Sequence, residues 1–242
     1  MAPTDSAPVR APRRDAAANR DALIAAAQSL LSRDTSASLE AIAAEAGLSR
    51  RSVYGHFATR DDLVREVTLR GAARVGAAVD LVRLRAGTAS AVPAIDPLVE
   101  LAALAARIWA EVENGRDMAL LAVRGPLGRE VAEVLRPLRS AIRALLRRGA
   151  ASGRVRDDIP VETLARLVEN AALAVLAEST HRSLSAREGH RLVMLSVLSV
   201  AGLDWREAGR LIETSPELSG ATPGATSGAT PADADATPKG TS

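Results

Sequence analysis

The sequence predicts an all-α protein, and three observations lead to that fold class. Hydrophobic residues make up 47% of the 242 residues, but aromatic residues make up only 2%. The core must therefore consist mainly of Ala, Leu and Val, which favours helices over sheets. Between the two ends of the chain, apolar residues recur at helical spacing, and no stretch alternates as a strand would. We predict about nine helices and no long-period repeat.

Both ends of the chain are predicted to be disordered. Residues 1–18 form a leader rich in Ala, Pro and Arg, and residues 216–242 include repeated Gly-Ala-Thr with Pro and Asp. The tail in particular has almost no side chain whose burial would offset the entropy of ordering it. The folded part is therefore expected between these segments.

Near the N-terminus the sequence predicts two short helices joined by a tight turn, braced by a helix over Asn19–Ser32. The first of the pair, Leu39–Ala46, carries apolar residues at i, i+3, i+4 and i+7. Gly47 ends it, because a residue without Cβ adopts positive φ at little cost. Ser49 is placed to cap the next helix. The pattern is that of a helix-turn-helix.

The second helix of this pair buries Val53 and Phe57. In helix-turn-helix proteins, the outward residues of this helix enter the major groove of DNA. Here the outward residues are Arg50, Arg51, Ser52, Tyr54 and His56.

Three segments at matching spacing carry a family resemblance: Ala-Gly-Leu-Ser, Val-Tyr-Gly-His-Phe and Thr-Arg-Asp-Asp-Leu, all within Ser38–Leu63 and its neighbours. Over roughly Arg20–Val67 the chain resembles the DNA-binding end of TetR-type (TetR/AcrR) transcriptional regulators. The resemblance implies a three-helix DNA-binding domain over residues 19–67. It also implies a helical effector-binding and dimerisation domain over residues 68–215.

Arg50, Arg51 and Ser52 open the recognition helix, where arginine can bond O6 and N7 of guanine together. The alternative, left open, is that both arginines only neutralise phosphates. The resemblance makes Tyr54 and His56 phosphate contacts, although His56 alternatively caps its helix end. The predicted DNA-binding residues are Ser38, Ser49, Arg50, Arg51, Ser52, Tyr54, His56, Thr59 and Arg60.

Two positions depart from the family's usual pattern. Arg51 stands where a small residue is usual, and Gly55 stands where an aromatic or polar residue is frequent. The operator sequence therefore cannot be borrowed from relatives.

Six further helices are expected beyond the helix-turn-helix. Thr59 and Asp62 form a capping box at the start of the first, a long helix. Ser185 and Glu188 form another before the last. Pro137 either kinks its helix or marks the true start. The expected spans are Arg60–Arg85, Leu98–Val112, Asp117–Val123, Arg129–Ser152, Pro160–Thr180 and Ser185–Leu203.

The resemblance also implies an effector pocket in the C-terminal domain, for a small apolar molecule. The alternative for each lining candidate is an ordinary core or surface position. The candidates are Trp109, Met118, Leu121, Leu138, Ile142 and Leu167, with Asn170 or His181 supplying polar contacts.

Leu192–Leu203 is apolar almost all round, so every face of that helix must be covered. A partner subunit can cover one face, as in the dimers of TetR-like proteins, whose last two long helices form a four-helix interface. The alternative is a central helix buried within one chain. The predicted dimer contacts are Ala171, Val175, Leu192, Leu195, Ser196, Ser199 and Gly202.

Several function classes find no support in the sequence. Cysteine is absent, which excludes disulfides and thiolate chemistry. His181 and His190 do not share a helical face, and no Ser-His-Asp grouping, Gly-rich phosphate loop or HExxH motif occurs, so no catalytic residue, metal or cofactor is predicted. No signal peptide precedes the fold, and the longest apolar run of the C-terminal half, Leu192–Leu203, is too short to span a membrane, so we expect a cytoplasmic protein.

The net charge of +2 says little about whether the protein binds nucleic acid. Lys239 is the only lysine among 31 basic residues, and the arginine excess is compatible with a GC-rich genome. The motif leads to a DNA-binding transcriptional regulator, by family default a repressor. As a homodimer it would bind a palindromic operator and be released by a small apolar effector. The alternatives are a constitutive DNA-binding protein without effector, and a helical enzyme or carrier with a vestigial helix-turn-helix.

Overall fold

The structure, a computed structural model, describes residues 12–87, 95–182 and 184–219. Within those ranges it contains twelve helices and no strand, which confirms the all-α fold class. The helices are α1 (Pro12–Leu31), α2 (Leu39–Glu45), α3 (Arg50–His56), α4 (Arg60–Gly87), α5 (Pro97–Val112), α6 (Arg116–Arg124), α7 (Gly128–Val134), α8 (Arg136–Ala151), α9 (Val161–His181), α10 (Ala186–Ala201), α11 (Trp205–Thr214) and α12 (Pro216–Ser219).

The first helix begins at Pro12, so residues 12–18 are helical and not part of a disordered leader. Proline suits the first turn of a helix because its missing N–H would have no partner there. Asp15 lies in that turn, where a negative charge stabilises the positive end of the helix dipole. Residues 16–18 are alanines, the best helix formers. The rest of the predicted leader, residues 1–11, lies outside the described residues.

Pro137 marks the true start of a helix and does not kink one. The single predicted helix Arg129–Ser152 is two helices, α7 and α8, with Leu135 between them. Pro137 sits in the first turn of α8, where its fixed φ is already helical.

The C-terminal end of the fold extends beyond the predicted last helix. That helix, α10, ends at Gly202, whose φ of 119° requires glycine. Asp204 and Glu207 then form a reciprocal capping box at the start of α11, which the sequence analysis did not predict. Leu218 of α12 is 1% exposed, so the folded part reaches into the predicted tail. The remainder, residues 220–242, lies outside the described residues.

Two hydrophobic cores divide the molecule, and α4 belongs to both. The N-terminal part of α4 contributes Leu63 and Val67 to the core of α1–α3. Its later turns contribute Ala78 to the larger core. A displacement of α4 therefore moves one core relative to the other.

Helix α5 lies at the centre of the larger core, in contact with α4, α8, α10, α11 and α12. The Trp109 ring lies against the backbone of Gly189 on α10, so closely that a Cβ at position 189 would overlap it. The two helices can approach this closely because glycine leaves that space free.

Candidate DNA-binding surface and internal cavity

The helix-turn-helix is built as its sequence pattern predicts. Ser38 accepts a hydrogen bond from the Ala41 backbone N–H at 3.1 Å, and Ser49 accepts one from Ser52 at the same distance. Gly47 has a φ of 67°, the left-handed conformation that ends α2. These contacts fix the start of both short helices.

Helix α3 presents the predicted recognition residues outward to different degrees. Arg50, Arg51 and Tyr54 are exposed, while Ser52 and His56 are half-buried. Val53, on the opposite face, is fully buried. The surface available for DNA is therefore dominated by two arginines and one tyrosine.

Glu40 on α2 joins two of these residues, a role that sequence analysis missed. The Tyr54 hydroxyl donates to a Glu40 carboxylate oxygen at 2.8 Å, and an Arg50 nitrogen lies 3.1 Å from the same oxygen. The Tyr54 hydrogen bond, supported by the Arg50 charge, lowers the pKa of Glu40 from its ordinary value. The sequence shows only an acidic residue in the first turn of α2, which is a common N-terminal preference.

Arg60, a predicted phosphate contact, makes hydrogen bonds within the protein. Its Nε donates to the Ala37 carbonyl at 2.8 Å, and a terminal nitrogen donates to the Thr35 carbonyl. Thr59 and Asp62 form the predicted capping box beside it. Arg60 thus ties α4 to the loop between α1 and α2, whatever it contributes to phosphate binding.

Arg20 of α1 is a second residue that sequence analysis missed. Its guanidinium lies 4.4 Å from the centroid of the Phe57 ring and donates to the His56 carbonyl at 3.3 Å. It also pairs with Glu66 of α4 at 3.4 Å. Arg20 therefore fixes the C-terminal end of α3 against both neighbouring helices.

Beneath the helix-turn-helix lies a cavity of about 420 Å³ between helices α1 and α4–α10. Four of the predicted lining residues face it: Trp109, Met118, Leu138 and Ile142.

The other pocket candidates lie outside the cavity lining. Leu121 and Leu167 are 47% and 44% exposed and lie outside the lining. Asn170 lines an adjoining groove between α8 and α9, which shares Arg139 and Ile142 with the cavity wall. His181 is exposed and bonds to the Ala177 carbonyl of its own helix. These positions were chosen as apolar or polar residues of the C-terminal domain, and residue type does not settle which side of a helix its neighbours cover.

Residues of the N-terminal region also line the cavity, which sequence analysis did not anticipate. Gln28 and Ser29 of α1, Ser32 just after it and Thr68 of α4 form part of its wall. Met118 of α6 lines the cavity and also packs against the core of the helix-turn-helix. One side chain therefore touches both the cavity and the DNA-binding domain.

Charge in the cavity wall is confined to two ion pairs. Nε of Arg139 lies 3.1 Å from both carboxylate oxygens of Glu169. Arg74 and Glu111 are 3.8 Å apart and about half exposed. The remaining wall is uncharged and mostly aliphatic.

The two long helices near the C-terminus carry an outward strip of apolar and small residues. Of the predicted dimer contacts, Leu192, Ser199 and Gly202 are exposed, and Ala171, Leu195 and Ser196 are half-buried. Val175 is 6% exposed and packs in the core of its own chain. Leu167, predicted for the pocket, lies on the outward side of α9 instead. None of the helices in the described ranges is long and apolar enough to span a bilayer.

A helix-turn-helix joined to a larger helical domain with an internal cavity defines the class of this molecule: a helical DNA-binding protein with space for a ligand. Comparison with known protein families identifies the N-terminal domain. Residues 23–67 match the family of bacterial regulatory proteins, tetR family. Residues 23–67 are therefore a DNA-binding domain of the tetR family of bacterial regulatory proteins. Comparison with curated protein sequences found no match.

Three solved structures have a similar fold at low sequence identity. RolR in complex with resorcinol is 18% identical, with a TM-score of 0.55, over 84% of this chain and 97% of that one. SmeT, the repressor of the Stenotrophomonas maltophilia multidrug efflux pump SmeDEF, is 20% identical, with a TM-score of 0.58, over 76% and 91%. FadR from Bacillus subtilis in complex with stearoyl-CoA is 16% identical, with a TM-score of 0.60, over 75% and 97%.

Proposed function

We propose that the chain is a homodimeric transcriptional repressor that binds a palindromic operator through α3. In this proposal it leaves the operator when a small, mainly apolar effector occupies the cavity. The observation that carries the proposal is the shared cavity wall, to which α1 and α4 contribute together with α5–α10. A ligand in contact with both domains has different affinities for different arrangements of them, as a population shift requires.

The solved relatives support a small-molecule effector. RolR was solved with resorcinol and FadR with stearoyl-CoA, so this fold accommodates ligands of very different size. A cavity of about 420 Å³ lies within the range of roughly 300–1,000 Å³ typical of small-molecule sites.

The outward strip on α9 and α10 supports a dimer. Leu167 and Leu192 are 44% and 37% exposed on these helices, and Ser199 and Gly202 offer little side chain beside them. Exposed apolar residues next to small ones allow a second copy to approach closely. A two-fold symmetric dimer presents two copies of α3, matching half-sites about 34–36 Å apart. A regulator of this kind works where the DNA is, which makes a cytoplasmic location part of the proposal.

The test begins with selection of an operator from a randomised duplex library by the full-length chain. We expect a palindromic sequence bound with a Kd of about 10⁻⁸–10⁻¹¹ M at physiological salt, at least roughly a thousandfold tighter than a scrambled duplex. The matched control is Ala144→Arg, which adds an arginine on the exposed face of α8 and should not alter the preference. Equal affinity for selected and scrambled duplexes would reject sequence-specific regulation.

The effector part of the proposal is tested separately. Candidate molecules that raise the Tm of the protein are added to the preformed operator complex, and release is followed by fluorescence anisotropy. Release over the concentration range of binding supports a ligand-responsive repressor. An operator complex that survives every cavity-binding molecule points to the alternative without effector.

A further inference from the structure

The cavity wall contains a hydroxyl group that makes no hydrogen bond to the described part of the protein. Thr68 lies on α4, is 7% exposed and lines the cavity. Within the described part of the chain its hydroxyl makes no hydrogen bond. The hydroxyl oxygen is accessible from the cavity, so a ligand atom that reaches it can form a hydrogen bond without displacing a protein partner.

Other threonines in helices show that a helical position does not by itself leave the hydroxyl group without a hydrogen bond. Helical Ser and Thr side chains often bond back to a carbonyl one turn earlier. Thr180 does so to Ala177 at 2.8 Å, and Thr214 does so to Arg210 at 2.8 Å. The Thr68 hydroxyl makes no such bond and is free for a ligand atom in the cavity.

The charges of the wall select against an ionic ligand. Two arginines and two glutamates line the cavity, and each arginine already faces a glutamate. The wall therefore has no net charge. An anion would have to compete with Glu169 for Arg139. A cation would have to compete with Arg139 for Glu169. A neutral molecule leaves both pairs intact.

From the free hydroxyl and the balanced charges we infer that the cavity binds an uncharged, mainly apolar molecule whose hydroxyl or carbonyl oxygen hydrogen-bonds to Thr68. The inference rests on the proposed function and specifies its effector class. Thr68 follows Val67, which packs in the core of the helix-turn-helix. The polar end of the ligand is therefore held by the helix that belongs to both cores.

The test uses calorimetric titration of the full-length chain without DNA. The probes are 1-octanol, octanoate and octylammonium, which share one chain and differ in the charge of the head group. We expect saturable binding of 1-octanol, with at least roughly tenfold weaker binding of both ions, since each would enter with an uncompensated charge. Gly71→Leu fills the cavity and should abolish 1-octanol binding, which localises the heat to this site.

Two variants of Thr68 separate hydrogen bonding from shape. Thr68→Val removes the hydroxyl at constant volume and should weaken 1-octanol about three- to tenfold. Thr68→Ser keeps the hydroxyl and should bind nearly as the unaltered protein does. The Tm of ligand-free Thr68→Val should be unchanged or higher, because the hydroxyl has no partner to lose.

Tighter binding of either ion, no binding of 1-octanol, or equal 1-octanol affinity in Thr68→Val each overturns the inference. These titrations contain no DNA, so failure to find an operator leaves their result standing. Conversely, an operator that is bound specifically while 1-octanol fails to bind rejects the ligand class alone.

Discussion

The hydroxyl of Tyr54 donates a hydrogen bond to the carboxylate of Glu40, 2.8 Å away, on the predicted DNA-facing surface. The same carboxylate pairs with Arg50, so one acidic side chain holds two predicted DNA contacts in place before DNA arrives. The Glu40 carboxylate is charged near neutral pH, as glutamates ordinarily are, and therefore repels phosphate. We therefore expect Glu40 to lower the affinity for DNA of any sequence while it orders Arg50 and Tyr54.

Glu40→Gln should raise affinity for scrambled DNA by roughly two- to tenfold, because one negative charge leaves the interface. Affinity for the operator should rise less, so the ratio of operator affinity to scrambled-DNA affinity should fall. The measurement is fluorescence anisotropy with both duplexes at one salt concentration. Glu45→Gln is the matched control, since Glu45 is also exposed on α2 but pairs with Arg33. An unchanged or higher ratio in Glu40→Gln would contradict the ordering role.

Arg51 and Arg60 should respond differently to replacement by alanine. Arg51 is exposed, and its loss should cost about 1–3 kcal/mol of operator binding, relax preference at one base pair and leave the Tm unchanged. Arg60 bonds two carbonyls of the loop before α2, so its loss should lower the Tm as well as weaken all DNA alike. Thermal unfolding and binding to a panel of single-base operator variants distinguish the two. A lowered Tm in Arg51→Ala would be incompatible with this division.

Gly71 faces the cavity, and a Cβ built there meets no atom within 4 Å. Gly71→Ala should therefore stabilise the protein by about 0.5–1 kcal/mol, as expected for glycine in a helix interior. If the proposed function holds, Gly71→Leu should occupy the space of the effector, and ligand should no longer release the variant from its operator. In a Trp205→Phe background, emission from the buried Trp109 reports ligand entry directly. A ligand-dependent change that persists in Gly71→Leu would place the binding site elsewhere.

Ser199→Arg should split the proposed dimer, because the exposed Ser199 lies in the proposed interface and an arginine there would bury its charge against the partner. Light scattering of the variant should give the mass of one chain, and operator affinity should fall with it. Ala144→Arg introduces the same side chain on α8 and should remain dimeric. A monomer in the unaltered protein, or a dimer in Ser199→Arg, would refute the interface on α9 and α10.

The helix-turn-helix was predictable from sequence because each of its signals is local. Ser38, Gly47 and Ser49 act within four residues of their own position, and the capping box of Thr59 and Asp62 is equally short-range. The start of α8 at Pro137 was one of two stated alternatives. Local chemistry decides these features, so the sequence is sufficient for them.

The cavity was only partly predictable because its wall joins distant parts of the chain. Trp109 and Met118 were chosen as apolar residues of the C-terminal domain, but nothing near Thr68 in the sequence indicates that its side chain faces them. Leu121 and Leu167 have the same apolar character and lie outside. Which apolar positions enclose space depends on how α1, α4 and α6 are arranged, and periodicity does not contain that information.

The contact between Trp109 and Gly189 makes two remote positions share one volume. A side chain at position 189 excludes the indole, so a larger residue there requires a smaller one at position 109. Homologues of this protein should therefore vary at the two sites together, with a larger residue on α10 accompanied by a smaller one on α5. The size of the residue at position 189 thus becomes a sequence marker for the shape of the cavity that Trp109 lines.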